Sequence, residues 1–380
     1  MATGCIKNLS INPATGCAKK GIQVMRRSIT IRQIAEMAGV NASTVSRVFN
    51  PDCGHSISDH IKSKVMSIAN KYEYAPKSSA RSLAHGKSFK LGVILGALEQ
   101  DMSSPTFSLV FGEFCREAMR HGYQAVMLPA GPGDIDQEVL KNIRSSNADG
   151  YWIGASMIGS ATMLELERRQ LPVAAYVSDS YLKHALPGVS VVHADNTAAF
   201  AEMLQTVKTR GFERFIEIIP SWGKKCSRRD FYLNSSKYGL IAEDFIEYDC
   251  STSNFAIRHE AATVAMENIE RLKKHDLIIC HNDLIALGVC DALRSAGIKP
   301  GEDISIIGYD NIEENPNYIV AEKPFICTIS KNDVAAGKQI VQKLLDMINT
   351  KQDASDINIP AHFICRDSLG FGKKVKEVMV

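Results

Sequence analysis

Arg47 and Ser43 stand four residues apart in NASTVSRVFN (residues 41–50), with Ala42 beside them. On a helix that spacing puts Ser43 and Arg47 on one outward face, one turn apart, with Ala42 at its edge. A guanidinium offers a planar fork of donors that can bond two acceptors of a flat partner, as N7 and O6 of a guanine present them. The methyl of Ala42 and the hydroxyl of Ser43 suit a thymine methyl and a short polar contact. Thr44, Ser46 and Asn50 add small polar groups of the kind that hold phosphate oxygens without reading sequence. Such a helix can read a major groove, provided that something holds it there.

The flanking residues supply that support. Thr30 is placed to cap a helix with Gln33 three residues on, a reciprocal capping box. Ile31, Ile34, Ala35 and Ala38 then recur as one apolar stripe, which stops at Gly39, where a missing Cβ lets the backbone turn. Asn41 caps the next helix, whose inner face is Val45, Val48 and Phe49. Two short helices joined at a glycine make a helix-turn-helix, although any small helical domain can contain such a pair. Ser58 starts a third helix with Ile61, Val65, Ile68, Ala69 and Tyr72 on its inner side, enough to close a three-helix core. Lys62 on that helix and Lys77 beyond it are further phosphate contacts.

Charge divides the chain in the same place. Residues 1–90 carry 14 Lys+Arg against 4 Asp+Glu; taken from the totals of 44 and 42, this leaves 30 against 38 for residues 91–380. A basic head on an acidic body suggests that only the head seeks a polyanion. The 380 residues also exceed the ~250–300 beyond which single cores split, so at least two domains are expected. From Lys87 onward strand-like runs (Leu91–Leu95, Ala125–Leu128, Tyr151–Ile153, Val173–Val177) alternate with helical stretches, and the pattern restarts at Phe215–Ile219, Phe245–Tyr248, Leu277–Cys280 and Ile304–Gly308. That alternation is the mark of parallel sheets covered by helices, here in two lobes.

Beyond the third helix lie YAPKSSARSLA (74–84), SNADG (146–150), HADN (193–196), CHNDLIALG (280–288) and DISIIGYDN (303–311). With the helix-turn-helix segment, these motifs make the chain resemble the LacI/GalR (lactose-repressor) family of bacterial transcription regulators, in the family's order from residue 28 to about 370. The resemblance implies an α+α/β fold: a three-helix helix-turn-helix head with a hinge helix, then a two-lobed periplasmic-binding-protein-like α/β body with parallel sheets. The implied domains are an extension (1–27), the head (28–75), the hinge (76–87) and the body (88–380). Within the body, lobe 1 takes about 88–188 and 312–328, and lobe 2 about 189–311 and 329–370. The implied function is a repressor whose affinity for a near-palindromic double-stranded operator is controlled by a small molecule between the lobes, with a sugar or sugar derivative as the expected effector. Two chains pair through their bodies as a homodimer. Leu83 in the hinge is expected to wedge into the minor groove and unstack a base step.

The same resemblance nominates the effector site. Arg229 falls where the family sends an arginine into the cleft. Tyr232 stands where the family has a glycine, which leaves the register open by one residue. Asp283, opening a helix after an apolar strand, can accept from vicinal hydroxyls, or it can be only a helix cap. Phe107 and Phe255 match aromatic positions that stack on the ligand, with core packing as the alternative. Lys331 matches a polar position, where a lysine favours an acidic ligand or is simply a surface charge.

Other chemistry is unsupported. Neither GxGxxG nor GxxxxGK[ST] occurs, no nucleophile motif of the GxSxG kind is present, and the histidines do not stand at zinc spacings. No cofactor, metal or catalytic residue is therefore expected, and the chain does not read as an enzyme. Ten cysteines without a CxxC pair read as reduced thiols. No run reaches the ~18 apolar residues of a membrane span, and residues 1–24 lack the apolar core of an export signal, so a cytoplasmic location is expected. Those 24 residues have no counterpart in the resemblance; Met25 is an alternative start, and otherwise they form a disordered basic arm. A solute-binding protein of transport or chemotaxis with the same body is the rival reading, but it leaves residues 28–85 unexplained.

Overall fold

The computed structural model describes residues 29–49, 57–74, 82, 86–95, 103–129, 134–153, 159–177, 188–250, 254–316, 323–350, 355–373 and 375. The chain divides into two compact units, residues 1–85 and 86–380.

In the first unit, helix α1 (Ile31–Ala38) begins at Thr30, whose hydroxyl accepts from the Gln33 N–H while the Thr30 N–H donates to Gln33 Oε1 at 2.9 Å. Gly39 ends it at φ 69°, and the Val40 N–H turns back to the Ala35 carbonyl at 2.9 Å. Helix α2 (Ala42–Val48) and helix α3 (Asp59–Lys71) follow. Asn41 and Ser58 take extended N-cap backbones, but neither side chain bonds to its helix. Ile34, Ala35, Ala38, Val45, Val65 and Ala69 form the buried core. Tyr72, expected inside, is 46% exposed. The helix ends there, Glu73 turns the chain at φ 51°, and Tyr74 instead packs on Phe49, ring centroids 5.7 Å apart.

The second unit opens with β1 (Lys90–Leu95), α4 (Pro105–Arg120), β2 (Gln124–Pro129), α5 (Ile135–Ser146), β3 (Gly150–Ile153), α6 (Ser160–Arg169), β4 (Val173–Val177) and β5 (Ser190–Asp195). It continues with α7 (Thr197–Thr209), β6 (Arg214–Pro220), α8 (Ser227–Leu233), β7 (Ile241–Tyr248), α9 (Asn254–Glu267), α10 (Ile269–Leu272), β8 (Leu277–Cys280), α11 (Asp283–Ser295) and β9 (Ser305–Ile307). The last elements are β10 (Thr328–Ser330), α12 (Asp333–Thr350), β11 (Ile357–Pro360) and β12 (His362–Ile364). The strand run near Phe245 is thus eight residues, longer than its apolar stretch, because β7 is an edge strand with one face in solvent.

Two parallel sheets result, with strand orders β11-β5-β4-β3-β1-β2 and β7-β6-β8-β9, joined by the antiparallel pair β10-β12. This partition corrects the lobe boundaries drawn from the sequence. Strand β5 belongs to the first sheet, pairing with β4 and β11, so lobe 1 extends to residue 195. Its returning segment is α12 with β11, not residues 312–328. Ala336, Ile340, Val341 and Leu344 of α12 share a core with Val110 and Phe114 of α4. Gly337 lets the two helices meet closely, since a Cβ there would approach the Val110 carbonyl oxygen to 2.5 Å. Residues 326–329, by contrast, pack into lobe 2: Ile326 with Ile312 and Ile306, Cys327 and Ile329 with Phe200 and Tyr309. The chain therefore crosses between lobes three times, at β5 to α7, β10 to α12 and β11 to β12.

The family-like motifs serve these joints. Asp149 of SNADG accepts the Ser88 and Phe89 N–H groups, each at 2.8 Å, and so fixes the entry to β1. Asp195 of HADN accepts the Thr197 N–H at 3.1 Å at the start of α7. Among the described residues, no helix is long and apolar enough to cross a membrane.

Candidate DNA-reading face and inter-lobe site

On α2 the inward Val45 is fully buried, and Val48 packs against the same core. Ser43 and Arg47 are exposed, Ala42 lies half-buried against the core, and Thr44 and Ser46 are half-buried. Lys62 on α3 is exposed and pairs with Asp59 at 3.3 Å, a surface contact that a phosphate can outcompete because solvent screens it. Asn50, Lys77 and Leu83 lie outside the described residues. The head thus presents a helix with short side chains at its start and one guanidinium at its end, over a core of small residues.

The body concentrates its polar groups where the crossings meet. Lys331, between β10 and α12, is only 4% exposed, against the expectation of a surface charge. Its Nζ lies 2.6 Å from Asp310 Oδ1 and donates to Thr106 Oγ1 of α4 at 3.0 Å. Burial works against the ammonium, but the carboxylates of Asp310 and Asp333 outweigh it and hold the Lys331 pKa above its ordinary value. Tyr176 of β4 donates to Asp333 at 2.7 Å, and burial pushes the Asp333 carboxyl up despite Lys331 nearby. The Tyr309 hydroxyl donates to Asn196 of the HADN motif at 2.9 Å. Asp310 sits at φ 114°, a backbone that side chains other than glycine rarely adopt.

The arginine of this cluster is Arg228, one residue before the position named from the sequence. Its guanidinium lies 4.3 Å from the Tyr309 ring centroid and donates to the His281 carbonyl at 2.9 Å. A second N–H reaches His281 Nε2 at 2.7 Å. Burial, reinforced by Arg228, pushes the His281 pKa well down, so the imidazole is neutral and accepts from the guanidinium. Arg229 turns instead to β6 and β7, 3.8 Å from Glu217 and 4.7 Å from the Phe245 ring centroid. Tyr232 explains the slip. In place of a glycine it fills the lobe 2 core against Phe200 and Phe215, which sets the rotation of the short helix α8.

Asp283 is fully buried, and its carboxylate is occupied by the protein: it accepts from the Thr328 hydroxyl at 2.8 Å and the Ile312 N–H at 3.0 Å. Burial, together with the Asp310 charge, pushes its pKa up to about 7. It braces the loop that carries Tyr309 and Asp310 and is not an open acceptor. Side-chain capping of α11 falls to Asn282, which accepts the Ile285 N–H at 3.0 Å. Phe107 stacks on Phe111 and Trp152 at centroid distances of 5.5 Å, at the edge of the lobe 1 core. Phe255 begins near the start of α9; its side chain lies outside the described residues. Asn315 adds an inter-lobe bond by donating to the Pro105 carbonyl at 2.9 Å.

Comparison with known proteins agrees with both halves of this description. Residues 30–77 match the model for bacterial regulatory proteins of the lacI family, and residues 246–369 match a periplasmic binding protein-like domain. The HTH-type transcriptional regulator AglR of Rhizobium meliloti (strain 1021) is 24% identical over 360 residues, covering 90% of this chain and 94% of that protein. The HTH-type transcriptional repressor CytR of Escherichia coli (strain K12) is 26% identical over 325 residues, 84% and 89% of the two chains.

The chain carries a lacI-family DNA-binding domain and a periplasmic binding protein-like domain.

Its fold is also that of solved regulators. A Lac repressor structure bound to ONPG superposes with a TM-score of 0.66 at 19% identity, covering 90% of this chain and all of that one. A CelR–cellobiose complex gives 0.60 at 18% identity. Sequence reasoning did not single out Arg228, Tyr309, Asp310 or Thr106 of this cluster. Tyr309 and Asp310 were visible inside DISIIGYDN, and the glycine missing at Tyr232 was the signal for Arg228. Nothing local marked Thr106.

Proposed function

We propose that this protein is a DNA-binding repressor whose hold on its operator is set by a small molecule bound among Arg228, Tyr309, Asp310 and Lys331. The observation that carries the reading is the pairing of an exposed helix-turn-helix face with a buried polar cluster on a different folding unit. A ligand can then act on DNA binding only through a change in the body that the head feels.

In this reading Arg47 bonds a guanine edge, Ala42 and Ser43 contact neighbouring bases, and Thr44, Ser46, Asn50, Lys62 and Lys77 hold phosphates. Leu83 wedges into the minor groove at the centre of a near-palindromic site, which two chains meet as a homodimer. In the cytoplasm the effector is a sugar or sugar derivative rich in oxygen. Two cations beside one aromatic ring favour a ligand that also bears a carboxylate or phosphate. Such an anion competes for Lys331, releases its bond to Thr106 on α4, and so changes the orientation of lobe 1 against lobe 2. The cluster binds and orients; none of its groups is assigned a catalytic step.

A binding-site selection from a random duplex library at physiological salt tests this. Enrichment of a near-palindrome with an easily unstacked central step is expected, followed by release when neutral and anionic sugars are screened. Failure to enrich any sequence, with and without a metabolite mixture, overturns the reading.

A further inference from the structure

Cys327 and Cys365 face each other across the antiparallel pair β10-β12. Thr328 lies opposite Ile364 in that pair, which puts the two cysteines opposite each other one step further along. Their sulfurs are 4.0 Å apart. The Cys327 backbone is committed elsewhere, its N–H to Ser368 Oγ at 2.7 Å and its carbonyl to the Gly308 N–H at 2.8 Å. Cross-strand pairs without mutual backbone bonds hold their Cα atoms about 4.5 Å apart, inside the range that a disulfide spans. Side-chain rotation is therefore enough to bring the sulfurs to bonding distance.

The two thiols differ in what reaches them. Cys365 is exposed, and Arg210 donates to its sulfur from 3.1 Å. A guanidinium there stabilises negative charge that develops as a polar oxidant gives up its leaving group. Cys327 is buried, accepts the Arg366 N–H at 2.8 Å and donates to the Arg366 carbonyl at 3.1 Å. Burial pushes its thiol up to about 12, so it stays protonated and does not meet an oxidant alone.

We propose that Cys365 and Cys327 are a peroxide-sensing pair, the first oxidised and the second resolving, that closes a reversible disulfide between two lobe 2 strands, each next to a lobe crossing. The Cys365 sulfur attacks one oxygen of a hydroperoxide, the O–O bond breaks, and the departing oxygen takes up a proton. Cys365 is left as a sulfenic acid, oxidised by two electrons while the peroxide is reduced to an alcohol or water. The Cys327 sulfur then attacks the Cys365 sulfur, the S–O bond breaks, and hydroxide leaves with the Cys327 proton as water. Two thiols and one hydroperoxide thus give one disulfide, one alcohol or water, and one further water. Because β10 leads into α12 and β12 receives the chain from β11, the bond ties together two of the three crossings. Any reorientation of the lobes must move those segments.

The test treats the full chain with stoichiometric hydrogen peroxide, removes the excess, blocks remaining thiols with N-ethylmaleimide in denaturant, and maps peptides by mass spectrometry. A Cys327–Cys365 linked peptide, lighter by two hydrogen atoms and lost on adding dithiothreitol, is expected. Cys365→Ser, a change at an exposed position, should abolish the link and leave Cys327 alkylated, whereas Cys115→Ser should keep the link. Recovery of Cys365 as sulfinic or sulfonic acid, or of both cysteines alkylated after peroxide, overturns the proposal.

Discussion

The head and the body place their functional residues on opposite sides of the burial line. In the head, six small or medium apolar residues form the core and everything suited to a partner stays outside. In the body, Lys331, Asp283 and His281 are buried and bonded to Asp310, Thr328 and Arg228, and the polar groups that define the site also hold the fold together. Recognition and stability are therefore separable in the first unit and coupled in the second. A substitution on the outer face of α2 should change binding and leave folding alone, while one in the polar cluster should change both.

The comparison breaks most easily on salt. If only the basic head meets DNA, affinity for nonspecific duplex should fall by roughly a thousandfold between 50 and 200 mM salt, the behaviour of about six neutralised phosphates. A flat dependence in a filter or anisotropy assay would remove the head from that role. Lys331→Ala comes next. It strands Asp310 beside a vacated site, and breaking a buried pair in this way costs on the order of 3–5 kcal/mol, visible in chemical denaturation. An unchanged midpoint would show that the pair is solvated after all.

Glu217 sharpens the same contrast through pH. Burial, only partly offset by Arg229, pushes its pKa from 4.5 up to about 7. A raised carboxyl favours the fold at low pH, and that contribution is lost as pH rises through 7. Glu217→Gln should therefore melt near the wild type at pH 5 and above it at pH 8, by on the order of 3 kcal/mol at most. A difference that does not vary with pH would rule out the buried charge as its cause. The smallest effect is expected for Arg47→Ala, roughly 1–3 kcal/mol of operator affinity with specificity relaxed at one base pair and thermal stability unchanged. Loss of stability in that variant would contradict the separation seen in the head.

The same division explains what the sequence disclosed. Helices α1 to α3 were legible because caps, glycine and a 3.6-residue stripe are local signals, and Ala42, Ser43 and Arg47 followed from the stripe by exclusion. Lys331 was not legible as a buried group, since its burial depends on Asp310, 21 residues away in sequence, and on a backbone at φ 114°. Arg229 failed for a related reason: Tyr232 in the core decides which arginine faces the cluster, and no periodicity in a seven-residue helix reports that. The lobe boundaries failed because β5, β10 and β11 are all short, at six, three and four residues, and only pairing across the sheet tells which lobe each one joins.

That pairing has a consequence for how the protein is made. Strand β5 takes β11 as its neighbour, with Val192 beside Ile357, and α4 is covered by α12. A chain synthesised from its amino end has all of the first five strands available long before these partners exist. Until residue 360 emerges, the first lobe keeps an unpaired sheet edge and an uncovered apolar helix face, while the whole of the intervening second sheet is produced. The lobe begun first is still open after the second sheet has been made, and a ribosome that stops short of β11 leaves behind the kind of open edge on which chains aggregate.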